Sequence, residues 1–177
     1  MTLPAVFDEP LAYALLVVAV YAALRYQATL TWTEYRPLHA AKVRLAPVAD
    51  AVWGGVDTEK GGRDDPEFLG TTDRSVADTF RYLAARGFRP RLVNSVKRRD
   101  KILGIERTQY SAAHLVSIHP DGRQTEVYLF AMPDGETDVY AHVETAVTDP
   151  RGHIKATEQV DGDARDTLPI ELFDPPQ

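Results

Sequence analysis

The sequence predicts an α+β protein: an N-terminal transmembrane helix, a juxtamembrane amphipathic helix, then an antiparallel sheet of four to six strands with one helix packed on a face. Three observations carry this. Leu11 to Leu24 contains no charged side chain. Two later segments place apolar residues at helical spacing. Beyond residue 108 the apolar period shortens to two, with turn-forming sequences between the runs.

The N-terminal segment "LAYALLVVAVYAALRYQATLTW", residues 11–32, reads as a membrane span. Twenty-two helical residues cover about 33 Å, enough for a hydrocarbon layer of about 30 Å. Leu, Val and Ala dominate on every side, so such a helix has no face for water. Arg25, Tyr26, Trp32 and Arg36 suit the membrane interface, where aromatic rings anchor and a long cation reaches the headgroups. A signal peptide fits poorly, because "MTLPAVFDEP" has no Lys or Arg and carries Asp8 and Glu9. A core helix is the other reading. The flanks set an orientation: no basic residue precedes the run, whereas Arg25, Arg36, Lys42 and Arg44 follow it. Residues 1–10 would be an extracytoplasmic tail and the C-terminal bulk cytoplasmic.

Residues 35–53 predict the amphipathic helix. Leu38, Ala41, Leu45, Val48 and Val52 recur at helical spacing, and Pro37 suits a first turn. Pro47 invites a kink. This helix would pack on the soluble domain or lie on the inner leaflet. Residues 54–66, with four glycines, read as a linker, and 67–177 as a soluble α+β domain.

Within 71–88 lies the clearest helix. Ser75 with Asp78 has the form of a capping box, Val76, Phe80, Leu83 and Ala84 make an apolar face, and Gly87 is a fitting stop. "FRPRLVNSVK" then reads as extended. The runs "QYSAAHLVSI", "TEVYLFAM", "DVYAHVETAV" and "HIKATEQV" are strands separated by "HPDGRQ", "PDGET" and "TDPRG". Val139, Ala141, Val143, Thr145 and Val147 should face the helix, with Tyr140, His142 and Glu144 turned the other way. Residues 166–173 predict a short edge strand holding Pro169.

Composition narrows the chemistry. There is no cysteine, so disulfides, zinc–thiolate sites and Cys nucleophiles are excluded. The net charge is −6, with 15 Arg to 5 Lys and 16 Asp to 10 Glu. This balance resembles that of halophilic archaeal proteins, and a GC-rich genome produces the same bias.

Basic residues concentrate in 81–107, densest in "SVKRRDK". Arg91, Lys97, Arg98, Arg99 and Lys101 are the candidate binding residues, facing a protein partner, the chain's own acidic half, the anionic membrane surface, or nucleic acid. The acidic net charge and the lack of any nucleic-acid-binding motif disfavour nucleic acid. His114 and His142 sit on expected strands and could become neighbours, but no set of three or four ligands can be assembled from the five histidines, so no metal is expected. Asp161, Asp163 and Asp166 do not fit a calcium loop. No catalytic motif or cofactor fingerprint is present. The expectation is a single-pass membrane protein whose cytoplasmic domain binds or assembles with a protein partner or a second copy. The alternatives are a membrane-tethered regulator touching nucleic acid through 97–101, and an enzyme of unknown class.

Overall fold

The computed structural model describes residues 10–53, 57–60, 62–92, 96–102, 105–146 and 164–173. The apolar run forms α1 (Pro10–Gln27), 18 residues and so about 27 Å long. It stops five residues before the expected end, and its last residues, Arg25, Tyr26 and Gln27, are polar. Among the described residues, no helix is long and apolar enough to cross a membrane. The expected span over 11–32 is therefore corrected. Its last part is a turn that belongs to the folded domain: Leu30 is buried in the core and the Gln27 side chain accepts the Leu92 N–H at 2.7 Å.

Helix α2 (Trp32–Trp53) begins at a capping box. Glu34 accepts from both the backbone N–H and the hydroxyl of Thr31, at 2.9 and 2.7 Å. Pro37 and Pro47 both lie inside the helix. Trp32 packs in the core, 5.3 Å from the Phe80 ring, rather than at a lipid interface. The face that docks on the sheet carries Tyr35, His39 and Ala46, all buried. The apolar stripe expected to do so points outward: Leu38, Leu45, Val48 and Val52 are exposed.

The main sheet has five strands in the order β2-β8-β7-β6-β3, every pairing antiparallel. They are β2 (Phe68–Thr72), β3 (Arg89–Pro90), β6 (Ala113–Ile118), β7 (Arg123–Ala131) and β8 (Thr137–Thr145). This is the α+β sheet the sequence predicted. A second sheet joins β1 (Asp57–Lys60), β4 (Val96–Ile102) and β5 (Ile105–Tyr110) in the order β1-β4-β5, with β1 parallel to β4. The stretch expected as a linker thus contributes a strand, held by backbone pairing that its polar side chains did not advertise. Residues 166–173 form 3-10 turns, Ala164–Thr167 and Ile170–Leu172, not an edge strand. Leu168 and Leu172 cap the core from there. "HIKATEQV" lies outside the described residues.

Helix α3 (Val76–Ala84) covers one face of the main sheet. Ser75 caps it, accepting the Asp78 N–H at 3.2 Å while its hydroxyl donates to the Asp78 carboxylate at 2.7 Å. Phe80 and Leu83 meet Leu115, Val127, Leu129, Val139, Ala141 and Val143 in the core. The helix ends in a Schellman motif: Phe88 N–H bonds Leu83 C=O and Gly87 N–H bonds Ala84 C=O, both at 3.2 Å. Gly87 sits at φ 95°, with open space where a Cβ would project. Gly87→Ala is therefore expected to cost about 1 kcal/mol through the backbone alone. Chemical denaturation should show a lower midpoint with an unchanged slope.

Candidate functional site

Strand alternation gives the main sheet a second face that is polar and yet mostly buried. It carries His114 on β6, Gln124, Glu126, Tyr128 and Phe130 on β7, and Asp138, Tyr140, His142 and Glu144 on β8, with side chains of β4 and α2 packed against it. Only Glu144 of these is more than slightly exposed. Burying so many polar groups is costly unless they are paired, and they sort into two clusters.

The first is centred on Asp138. Its carboxylate accepts from Arg99 at 2.6 Å, from Arg63 at 2.8 Å and from the Thr71 hydroxyl at 2.7 Å. Burial raises the pKa of Asp138, but the bonds from Arg63, Thr71 and Arg99 outweigh it and hold the carboxyl below its usual value. The Arg99 guanidinium also donates to Gln109 at 2.9 Å and lies 4.6 Å from the Phe130 ring centre. The arrangement ties β4 and the 62–67 turn onto β8.

The second cluster is centred on Glu126. Register sets it up: Glu126 pairs with His142 across β7 and β8, and Gln124 pairs with Glu144. The Gln124 amide donates to Oε1 of Glu126 at 3.0 Å and to Oε1 of Glu144 at 2.6 Å. The Oε2 atoms of both carboxylates turn toward His142 Nε2, at 3.8 and 3.6 Å. His142 Nδ1 lies 3.0 Å from Glu67 Oε2. His114 Nε2 approaches Glu126 Oε2 at 3.3 Å. The Tyr128 hydroxyl donates to Glu126 Oε2, and the Lys97 ammonium lies 5.2 Å from the Tyr128 ring centre.

The charges follow from these contacts. Burial disfavours charge on His142, but bonds to Glu144 and Glu67 and the field of Glu126 outweigh it and raise its pKa to about 9. Burial likewise opposes charge on Glu126, yet hydrogen bonds from its neighbours keep it ionised, its pKa well below the usual range. Burial lowers the pKa of His114, leaving its imidazole neutral. Lys42, on α2, faces the same cluster, and burial pulls its pKa down to about 8 against the attraction of Glu126.

A relay links α2 to this face. His39 Nε2 lies 2.8 Å from the Ser111 carbonyl, which can only accept, so Nε2 carries the proton and Nδ1 accepts from Tyr35 Oη at 2.9 Å. Tyr35 Oη in turn accepts the His114 backbone N–H at 2.9 Å. Burial lowers the pKa of His39 to about 4. Beside it, a groove of about 420 Å³ at the α1–α2 turn and a larger one of about 620 Å³ between α2 and the β7–β8 turn open to solvent. The larger is lined in part by Arg36, His39, Ser111, Met132 and Glu136.

The candidate binding residues do not form one patch. Lys97 and Arg99 are buried, Arg98 is half-buried against Asp100, and Arg91 reaches Gln124 at 3.5 Å. The side chain of Lys101 lies outside the described residues. Arg25, Tyr26 and Arg36 are exposed, and Trp32 is partly buried. The set the sequence reading could not assemble is Glu126, His142 and Glu144, whose ligand atoms all lie within 4.8 Å of one another. The signal was the "PDGE" turn: given a two-stranded hairpin closing around it, Glu126 falls opposite His142.

No family model, no curated protein and no solved structure matches the chain. Its function is therefore argued from the site itself.

Proposed function

We propose that this protein is a membrane-associated α+β binding module, attached to the bilayer through α1 and the outward face of α2. One observation carries the reading: apolar side chains on both helices are left uncovered. On α1, Leu15, Leu16, Val17, Val18, Val20 and Tyr21 are exposed, Val17 to 67%. On α2, Leu38, Leu45, Val48 and Val52 are exposed. A helix apolar on all sides is stable only when something apolar surrounds it. The flanking chemistry favours lipid as that surrounding. Arg25, Tyr26, Arg36 and Arg44 are exposed near the end of α1 and along α2, where cations meet anionic headgroups and an aromatic ring sits at the interface. Insertion need not be a crossing. Apolar area entering the acyl boundary suffices for binding, and basic residues add about 1 kcal/mol each near an anionic surface.

The domain beyond the helices is the binding part, with the 620 Å³ groove of a size that takes a small ligand or a partner's side chains. Nucleic acid is not favoured, because Lys97 and Arg99 point into the fold.

Vesicle flotation tests the attachment. The full chain should rise with vesicles containing an anionic phospholipid, and a Leu16→Asp/Val20→Asp double variant should stay at the bottom. These side chains touch little of the folded domain, so its unfolding midpoint should hardly move. Equal flotation of the variant, or a vesicle-free protein that conceals the same leucines in a stable dimer, would refute lipid as the covering partner.

A further inference from the structure

We infer that Glu126, Glu144, His142 and His114 form a binding site for one divalent transition-metal ion of the zinc type. This stands independently of membrane attachment. Three features of the geometry converge on it.

The spacing is the first. A tetrahedral zinc ion holds nitrogen and oxygen donors at about 2.0–2.1 Å, so neighbouring donors lie about 3.3–3.5 Å apart. His114 Nε2 to Glu126 Oε2 is 3.3 Å, His142 Nε2 to Glu144 Oε2 is 3.6 Å, and His142 Nε2 to Glu126 Oε2 is 3.8 Å. The donor atoms of Glu126, His142 and Glu144 all lie within 4.8 Å of one another, and His114 stands beside them next to Glu126, so side-chain adjustment would close the four around an ion.

The outer shell is the second. Metal-binding histidines usually hand their other ring N–H to a carboxylate, which fixes the ring and its tautomer. Glu67 does so at His142 Nδ1, at 3.0 Å. Gln124 grips Oε1 of both glutamates and leaves each Oε2 turned inward. Tyr128 donates to Glu126 Oε2 as well and helps fix that carboxylate.

The third is His114. It is 1% exposed; Nδ1 has no hydrogen-bond partner, and Nε2 meets Glu126 Oε2 at 3.3 Å without hydrogen-bond geometry. Leaving a buried donor or acceptor unsatisfied costs about 1–3 kcal/mol. Its Nε2 faces the Glu126 carboxylate of the cluster at 3.3 Å. A cation there would satisfy it.

Glu126, Glu144 and Glu67 surround the centre; against them stand Lys42 of α2, Lys97 of β4 and the protonated His142, so an ion enters by displacing the His142 proton. Imidazole and carboxylate donors without thiolate suit zinc, cobalt or nickel rather than copper(I). Glu126, His142 and Glu144 join β7 and β8, and His114 as fourth donor would close the site and bring in β6, which makes the ion structural. Glu144 and Glu67, each a little over one-fifth exposed, give it a way in.

The experiment uses untagged full-length protein, stripped with chelator. Titration calorimetry with zinc, and visible absorption with cobalt, should each report one ion per chain, the cobalt spectrum having the intensity of a tetrahedral site. Glu144→Gln, at the exposed edge, should abolish the cobalt band while the metal-free protein keeps its unfolding midpoint. Glu67→Gln should weaken zinc about 10–100-fold. His119→Ala, outside the cluster, should change nothing. Failure of the wild type to bind either ion at millimolar concentration overturns the proposal, as does binding indifferent to Glu144→Gln.

Discussion

Asp138→Ala is expected to remove about 3–5 kcal/mol of stability, the cost of stripping one partner from a buried ion pair. Arg99 is 2% and Asp138 1% exposed at the side chain. Without the carboxylate, the Arg99 guanidinium stays enclosed beside Phe130 with Gln109 and the Tyr140 hydroxyl, at 2.9 and 3.4 Å, as its neutral oxygen partners, and Arg63 and Thr71 lose their acceptor. Urea denaturation should show the loss as a lower midpoint. A loss below about 1 kcal/mol would mean that water reaches Arg99. The pair is not irreplaceable in principle. Arg99→Met with Asp138→Leu should recover most of the loss, because two apolar groups of similar volume escape the desolvation of two charges. Acid adds a second reading. The folded-state pKa of Asp138 is depressed, so its contribution is whole above the unfolded value of about 3.9 and disappears as pH falls from there through the folded value. Asp138→Asn should flatten that part of the stability–pH profile.

Much of the fold was legible because local rules and burial agreed. Val139, Ala141 and Val143 alternate and do face α3, and Ser75, Asp78 and Gly87 do bound that helix. The strands failed to reveal their other side. Tyr140, His142 and Glu144 do turn away from α3, but nothing in their spacing says what meets them there: Arg99 of β4 lies over Tyr140, and Glu67 meets His142. For "SVKRRDK" the chain's own acidic half is one of the partners the sequence offers, and Arg99 takes Asp138 thirty-nine positions later. Pairing at that distance leaves no periodic trace. Thr31 and Glu34 are a legible start for α2, obscured by the span expected to run through residue 32. The stripe Leu38–Val52 is apolar as read, and the folded domain, one of its two expected coverings, does not cover it. Periodicity says that a face is greasy without saying what greases it. In α2 the docking face is instead polar and specific, with Tyr35 and His39 bonded to β6 and to Ser111.

Phe80→Ala is the other large effect, expected to cost about 3–5 kcal/mol. Phe80 is 1% exposed and joins three elements at once. Its ring lies 5.3 Å from Trp32 and 5.2 Å from Tyr35, while its helix covers β6 and β7. Removing it opens a cavity that neighbours on three different elements cannot close together, so both the transfer loss and the cavity cost apply. Phe80→Leu should lose markedly less, since most of the volume stays filled. The position also decides how α2 is held. Trp32 and Tyr35 are its aromatic anchors, and Tyr35 carries the hydrogen bond to the His114 backbone. In a Trp53→Phe background, Trp32 fluorescence reports that anchor alone. Phe80→Ala should shift its emission to the red at denaturant concentrations where far-ultraviolet circular dichroism is still native, as α2 leaves before the sheet opens. Coincident transitions by the two probes would show instead that α2 and the sheet unfold as a single unit. The loop–helix junction after Gln27 would then be as firmly part of the domain as β7 and β8.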